Sequence, residues 1–143
     1  MAERRKHSST TTKRPLVLVV DDHADTRELI TEFFRFKGYR IAEASTGPEA
    51  LKLARATMPD VVLMDLSLPE LDGWEVTRRL KEDARTSHMF VVAVSGHADR
   101  TARERALDVG CDDYCTKPCL PDELVAVVEK LLLRAGQAGN GPA

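Results

Sequence analysis

The chain has 143 residues, 43% of them hydrophobic and 31% charged, which suits one domain with a sizeable core. Its formal net charge of -2 argues against nonspecific nucleic-acid binding, and no stretch is long and apolar enough to insert in a bilayer. Three cysteines, an odd number with no secretory signal ahead of them, point to reduced thiols and a cytoplasmic setting.

Residues 1–14 carry five basic side chains against one acid, so the remainder is left at -6. This segment is polar and rich in Ser and Thr, cannot bury enough apolar surface to order itself, and reads as a disordered basic tail. Leu16 to Val20 is an uninterrupted apolar run, the signature of a strand buried on both faces, and it ends on Asp21-Asp22. Ala24 to Lys37 has Leu29, Ile30, Phe33 and Phe34 at helical spacing, with Gly38 as the stop. Tyr39 to Ala44 is a more polar strand, expected at a sheet edge. Pro48 suits the first turn of a helix that continues over Glu49 to Thr57.

Asp60 to Asp65 is a third strand, again apolar and again ending on a carboxylate. A Pro-containing loop follows, and Asp72 is placed to cap a helix over Gly73 to Asp83. Phe90 to Val94 is a fourth strand ending on Ser95-Gly96. A charged helix spans Arg100 to Val109, and a short fifth strand runs from Asp112 to Thr116 and ends on Lys117-Pro118. Pro121 to Arg134 is the last helix, leaving 135–143 as a Gly-rich flexible C-terminal tail. Five alternations of strand and helix predict an α/β fold over 15–134. The expected form is a doubly wound five-stranded parallel sheet of order 2-1-3-4-5, a flavodoxin-like three-layer sandwich.

In such a sheet the reactive groups lie beyond the carboxyl ends of the strands. Strand one delivers Asp21 and Asp22, strand three Asp65, strand four Ser95 and strand five Lys117. Two carboxylates 4 Å apart repel by roughly 4 kcal/mol at an effective dielectric near 20. Three of them beside one ammonium call for a proton or a divalent cation, and an all-oxygen site open to water suits Mg²⁺. A pocket so neutralised could accept a phosphoryl group on one Asp, with Lys117 pairing the incoming anion and the Ser95 hydroxyl donating to it.

These residues, with Asp65-Leu66-Ser67-Leu68-Pro69-Glu70-Leu71-Asp72-Gly73 and Gly110-Cys111-Asp112-Asp113-Tyr114-Cys115-Thr116-Lys117-Pro118, resemble the receiver domain of two-component response regulators. The resemblance implies that Asp65 accepts phosphate from a phosphohistidine of a sensor histidine kinase or phosphotransfer protein. It implies Mg²⁺ held by Asp21, Asp22, Asp65 and the backbone carbonyl of Ser67. It makes Ser95 and Tyr114 the switch residues, Tyr114 turning inward on phosphorylation, and gives Lys117-Pro118 a cis bond. The changed face of the fourth helix, fifth strand and fifth helix would then recruit a downstream target protein. On this reading the chain is no enzyme in the turnover sense and catalyses only its own aspartyl phosphorylation and dephosphorylation. Its output is that of a single-domain regulator or, alternatively, an intermediate phosphorelay carrier.

Two other classes use related parts. A haloacid dehalogenase-like phosphatase needs a second Asp two residues after its nucleophile, where this chain has Ser67. A flavin module needs phosphate donors after strand one, where Asp21-Asp22 would repel the phosphate. His23 and His97 are expected as solvated loop histidines, with a lean over the phosphoryl site as the functional option. Cys111, Cys115 and Cys119 are spaced by four, but in a strand and loop this places no two on one helical face, so they read as small hydrophobes. Arg100, Arg103 and Arg105 form a charged helix face, either solvated or part of a docking surface.

Overall fold

A computed structural model describes residues 14–96 and 100–140, with side chains through 136. His97, all but the last residue of the basic N-terminal segment, and residues 141–143 lie outside the described residues. Among the described residues, five strands alternate with five helices. They are β1 (Leu16–Val20), α1 (Ala24–Phe36), β2 (Arg40–Ala44), α2 (Gly47–Thr57), β3 (Val61–Asp65), α3 (Gly73–Glu82), β4 (Phe90–Ser95), α4 (Arg100–Asp108), β5 (Asp113–Thr116) and α5 (Pro121–Asn140). The strands form one sheet in the order β2-β1-β3-β4-β5, every pairing parallel, as expected from the sequence.

Alternation along the central strands explains the three layers. Val17, Val19, Val61 and Leu63 point to one face, where Ile30 and Phe34 of α1 and Leu124, Val128 and Leu131 of α5 cover them. Leu18, Val20, Val62 and Met64 point to the other, under Ala50 and Leu51 of α2, Val76 and Leu80 of α3 and Ala106 of α4. All five residues of β1 and of β3 are buried, which is why those runs carry no polar residue before their terminal acids. The more polar β2 is an edge strand, and only its last residue is buried.

Helix ends follow local chemistry. Asp72 caps α3, its carboxylate accepting from the Glu75 N–H at 2.9 Å. Thr46 caps α2 in the same way, accepting from the Glu49 N–H at 3.2 Å. Gly38 takes φ +97 after α1, a left-handed conformation that a side chain would strain. One boundary differs from the sequence reading: α5 passes Arg134 and continues to Asn140, so part of the expected flexible tail is helical.

Phe34 is the largest side chain fully buried, and its ring lies 5.2 Å from that of Tyr39. Phe34→Ala is expected to cost about 3–5 kcal/mol, the range for truncating a buried aromatic, read as a lower urea midpoint at unchanged slope.

Candidate functional site

The acids converge where β1 and β3 end side by side. Val20 is paired with Met64 in register, so Asp21 and Asp65 leave the sheet as neighbours. Alternation directs both toward the α1 and α5 face, where they line a cavity of about 480 Å³ with Val19, Ile30 and Lys117. Asp21 is 4% exposed and Asp65 2% exposed. Carboxylates this buried need partners. The Asp21 carboxylate accepts from the His23 N–H at 2.8 Å. Oδ1 of Asp65 accepts from both the N–H and the hydroxyl of Ser67, each at 3.0 Å. Oδ2 of Asp65 faces Lys117 Nζ at 3.3 Å.

That last contact spans the sheet. Lys117 follows β5, two strands from β3, and its side chain crosses the end of β4 to reach Asp65. Its own N–H donates to the Ser95 carbonyl at 2.7 Å, which ties the lysine backbone to the end of β4. The Lys117-Pro118 bond is cis, as the resemblance implied. Ser95 is 1% exposed and pairs in register with Thr116.

Asp22 completes the acid group and is exposed. Ligand atoms of Asp21, Asp22, His23 and Asp65 all lie within 4.8 Å of one another. Three carboxylates at this separation form a hard-oxygen donor set with excess negative charge, and they fit a magnesium ion by donor type. His23 is more involved than a solvated loop histidine. Its side chain is 69% exposed, yet Nδ1 sits 3.3 Å from Asp21 Oδ1 and 3.2 Å from Asp22 Oδ1.

Arg27 was not singled out from sequence. Its Nη1 donates to the Asp21 carbonyl at 2.7 Å while Nε pairs with Glu43 of β2 at 3.0 Å, so it fastens the acid-bearing turn to the edge strand. No local spacing signals this, because Glu43 arrives from another strand. Gly73 opens α3 against the other acid: a Cβ there would lie 2.5 Å from the Asp65 carbonyl oxygen.

The resemblance implied that Tyr114 turns inward on phosphorylation. It is already buried here, at 6% exposure, on the sheet face that α4 covers. The Arg103 guanidinium lies 5.7 Å from its ring centre, and that of Arg105 lies 4.4 Å from the Trp74 ring. Two of the three α4 arginines thus rest on aromatic faces rather than standing wholly in solvent. Cys111 lies in the α2–α4 core layer, whereas Cys115 and Cys119 pack on the opposite one.

A doubly wound sheet with an acid group and a lysine at its switch point defines the response-regulator class. Residues 17–129 match the response regulator receiver domain model, and the chain belongs to that family of two-component signalling proteins. It is similar to the polar-differentiation response regulator DivK of Brucella ovis, 35% identical over 116 residues, covering 81% of this chain and 94% of DivK. It is also similar to the phosphate regulon transcriptional regulatory protein PhoB of Pseudomonas aeruginosa, 37% identical over 120 residues, covering 84% of this chain and 52% of PhoB. The chain spans about half the length of the first curated relatives it matches. Among solved structures, the receiver domain of the Francisella response regulator 1452 superposes with a TM-score of 0.80 at 32% identity, covering 85% of this chain and 99% of that one. The haloacid dehalogenase alternative finds no support: Ser67 donates to Asp65 and offers no carboxyl group to serve as acid and base. Among the described residues, no helix is long and apolar enough to cross a membrane.

Proposed function

We propose that this receiver takes a phosphoryl group onto Asp65 from a phosphohistidine of a sensor kinase or phosphotransfer protein. A carboxylate oxygen of Asp65 attacks phosphorus, the P–O bond forms, the P–N bond breaks, and its electron pair returns to the donor imidazole. The observation that carries this reading is the 3.3 Å approach of Lys117 to Asp65 across the sheet, beside a group of acids within 4.8 Å of one another. Phosphoryl transfer needs positioning and charge neutralisation more than covalent help from the protein. Lys117 supplies one positive charge on the acceptor oxygen.

Asp21, Asp22, Asp65 and the Ser67 carbonyl would hold Mg²⁺, which supplies the rest of the neutralisation when bound. The Ser95 hydroxyl, at the end of β4, is the donor that follows the new phosphoryl oxygens. Tyr114 and the α4–β5–α5 face carry the change to a downstream protein. The proposed output is that of a single-domain regulator, with a relay carrier as the second reading; similarity over 94% of the length of DivK favours the first. The chain does not turn over a separate substrate; the chemistry is its own modification and its reversal.

Incubation with Mg²⁺ and a small acyl phosphate is expected to add the mass of one phosphoryl group, mapped to Asp65. Chelating the metal with EDTA is expected to slow labelling at least tenfold, since two or more clustered carboxylates are then left uncompensated. Equal labelling with and without chelator would remove the metal from the scheme.

A further inference from the structure

Cys115 and Cys119 stand two residues before and two after Lys117. Strand alternation puts Cys115 on the α5 side of β5, and the turn after Lys117 returns Cys119 to the same apolar layer. Their thiols lie close enough there to share a hydrogen bond. That hydrogen bond holds the Cys115 thiol below its ordinary range and drives that of Cys119 upward. Cys111 is set apart in the opposite layer, where burial pushes its thiol up to about 11. Both members of the pair are free and half-buried, and Cys119 lines the 480 Å³ cavity shared with Asp65 and Lys117. A metal reading fails here. Among the described residues, the group of three or more ligating side chains is the acid site, and the two thiols are not in it.

We infer that Cys115 and Cys119 are a reversible redox site that closes to an intramolecular disulfide on meeting hydrogen peroxide, and that closure slows phosphoryl acceptance at Asp65 by fixing the segment that carries Lys117. The second half rests on the function proposed above; the first does not. The Cys115 thiolate attacks one peroxide oxygen, the O–O bond breaks, and hydroxide leaves to be protonated to water. Cys119 then attacks the sulfur of the Cys115 sulfenic acid. The S–S bond forms, the S–O bond breaks, and a second water leaves with the thiol proton. Two thiols have given two electrons to one peroxide. A dithiol reverses the bridge by exchange and becomes a disulfide itself.

The test uses the full chain, reduced, then treated with hydrogen peroxide, alkylated and weighed intact. The expected product has lost two hydrogens, keeps Cys111 as the one thiol alkylated after unfolding, yields a linked Cys115–Cys119 peptide, and reverts with dithiothreitol. Cys115→Ser and Cys119→Ser are each expected to block the loss. Gain of oxygen without loss of hydrogen, or a bridge between two chains, overturns the redox site. Asp65 labelling by an acyl phosphate with Mg²⁺ is expected to run roughly tenfold slower in the oxidised sample and to recover on reduction. An unchanged rate overturns the regulatory half. A reduced sample that never labels counts against the phosphoryl reading instead, and the mass of the peroxide-treated chain still decides the bridge.

Discussion

Asp65→Asn is expected to lower phosphoryl acceptance by at least about 10³-fold while leaving the chain folded. An amide oxygen is a poor nucleophile toward phosphorus, so the first bond of the transfer does not form. The fold should persist because the amide replaces the carboxylate at nearly the same volume. Its oxygen can still accept from the Ser67 N–H and hydroxyl that now bond Oδ1 at 3.0 Å. What is lost is one negative charge opposite Lys117, whose Nζ stands 3.3 Å away. Against that loss, the repulsion that Asp65 exerts on Asp21 and Asp22 disappears, and the two effects have opposite sign. Intact mass after acyl phosphate treatment reads acceptance, and urea unfolding reads stability. A variant that gains a phosphoryl mass at the parent's rate would move the acceptor to another carboxylate, with Asp21 and Asp22 as the candidates within reach.

Much of this was legible in the sequence because the responsible interactions are short-range. An apolar run that ends on an acid fixes both a buried strand and the edge to which it delivers that acid, so Asp21 and Asp65 could be placed without coordinates. Period-two alternation inside β1 and β3 was hidden, since strands covered on both faces are apolar at every position. The face that each carboxylate turns toward therefore came only from the structure. Arg27 was illegible for a related reason: its partners are a carbonyl before its own helix and a carboxylate on β2, and no periodicity links the three. The cysteines were read as small hydrophobes, and all three do pack in or against the apolar layers; that Cys115 and Cys119 share one layer was not legible, because the path of the turn between them is not written in their spacing. The end of α5 was missed because Gly136 reads locally as a stop.

Gly73→Ala is expected to destabilise the chain by about 3 kcal/mol and, in the fraction still folded, to slow labelling of Asp65. In the sequence this glycine closes the motif that begins at Asp65, and in the structure it is where α3 meets the acceptor strand. An added Cβ would lie 2.5 Å from the Asp65 carbonyl oxygen and 2.8 Å from the Leu66 Cα. Both are backbone atoms, so no side-chain rotation relieves the overlap; either α3 withdraws or the end of β3 shifts. Withdrawal would loosen Val76 and Leu80 in the layer beneath, and a shift would move the nucleophile itself. Helix propensity works in the opposite direction, since Ala is favoured over Gly by up to about 1 kcal/mol in a helix, and the overlap outweighs it. Gly96→Ala supplies the comparison, because among the described residues a Cβ on Gly96 meets nothing within 4 Å although the residue directly follows Ser95. That variant is expected to unfold within about 0.5 kcal/mol of the parent. Equal urea midpoints for the two variants would mean that α3 can move away freely, and that its contact with Asp65 does not hold the acceptor in place.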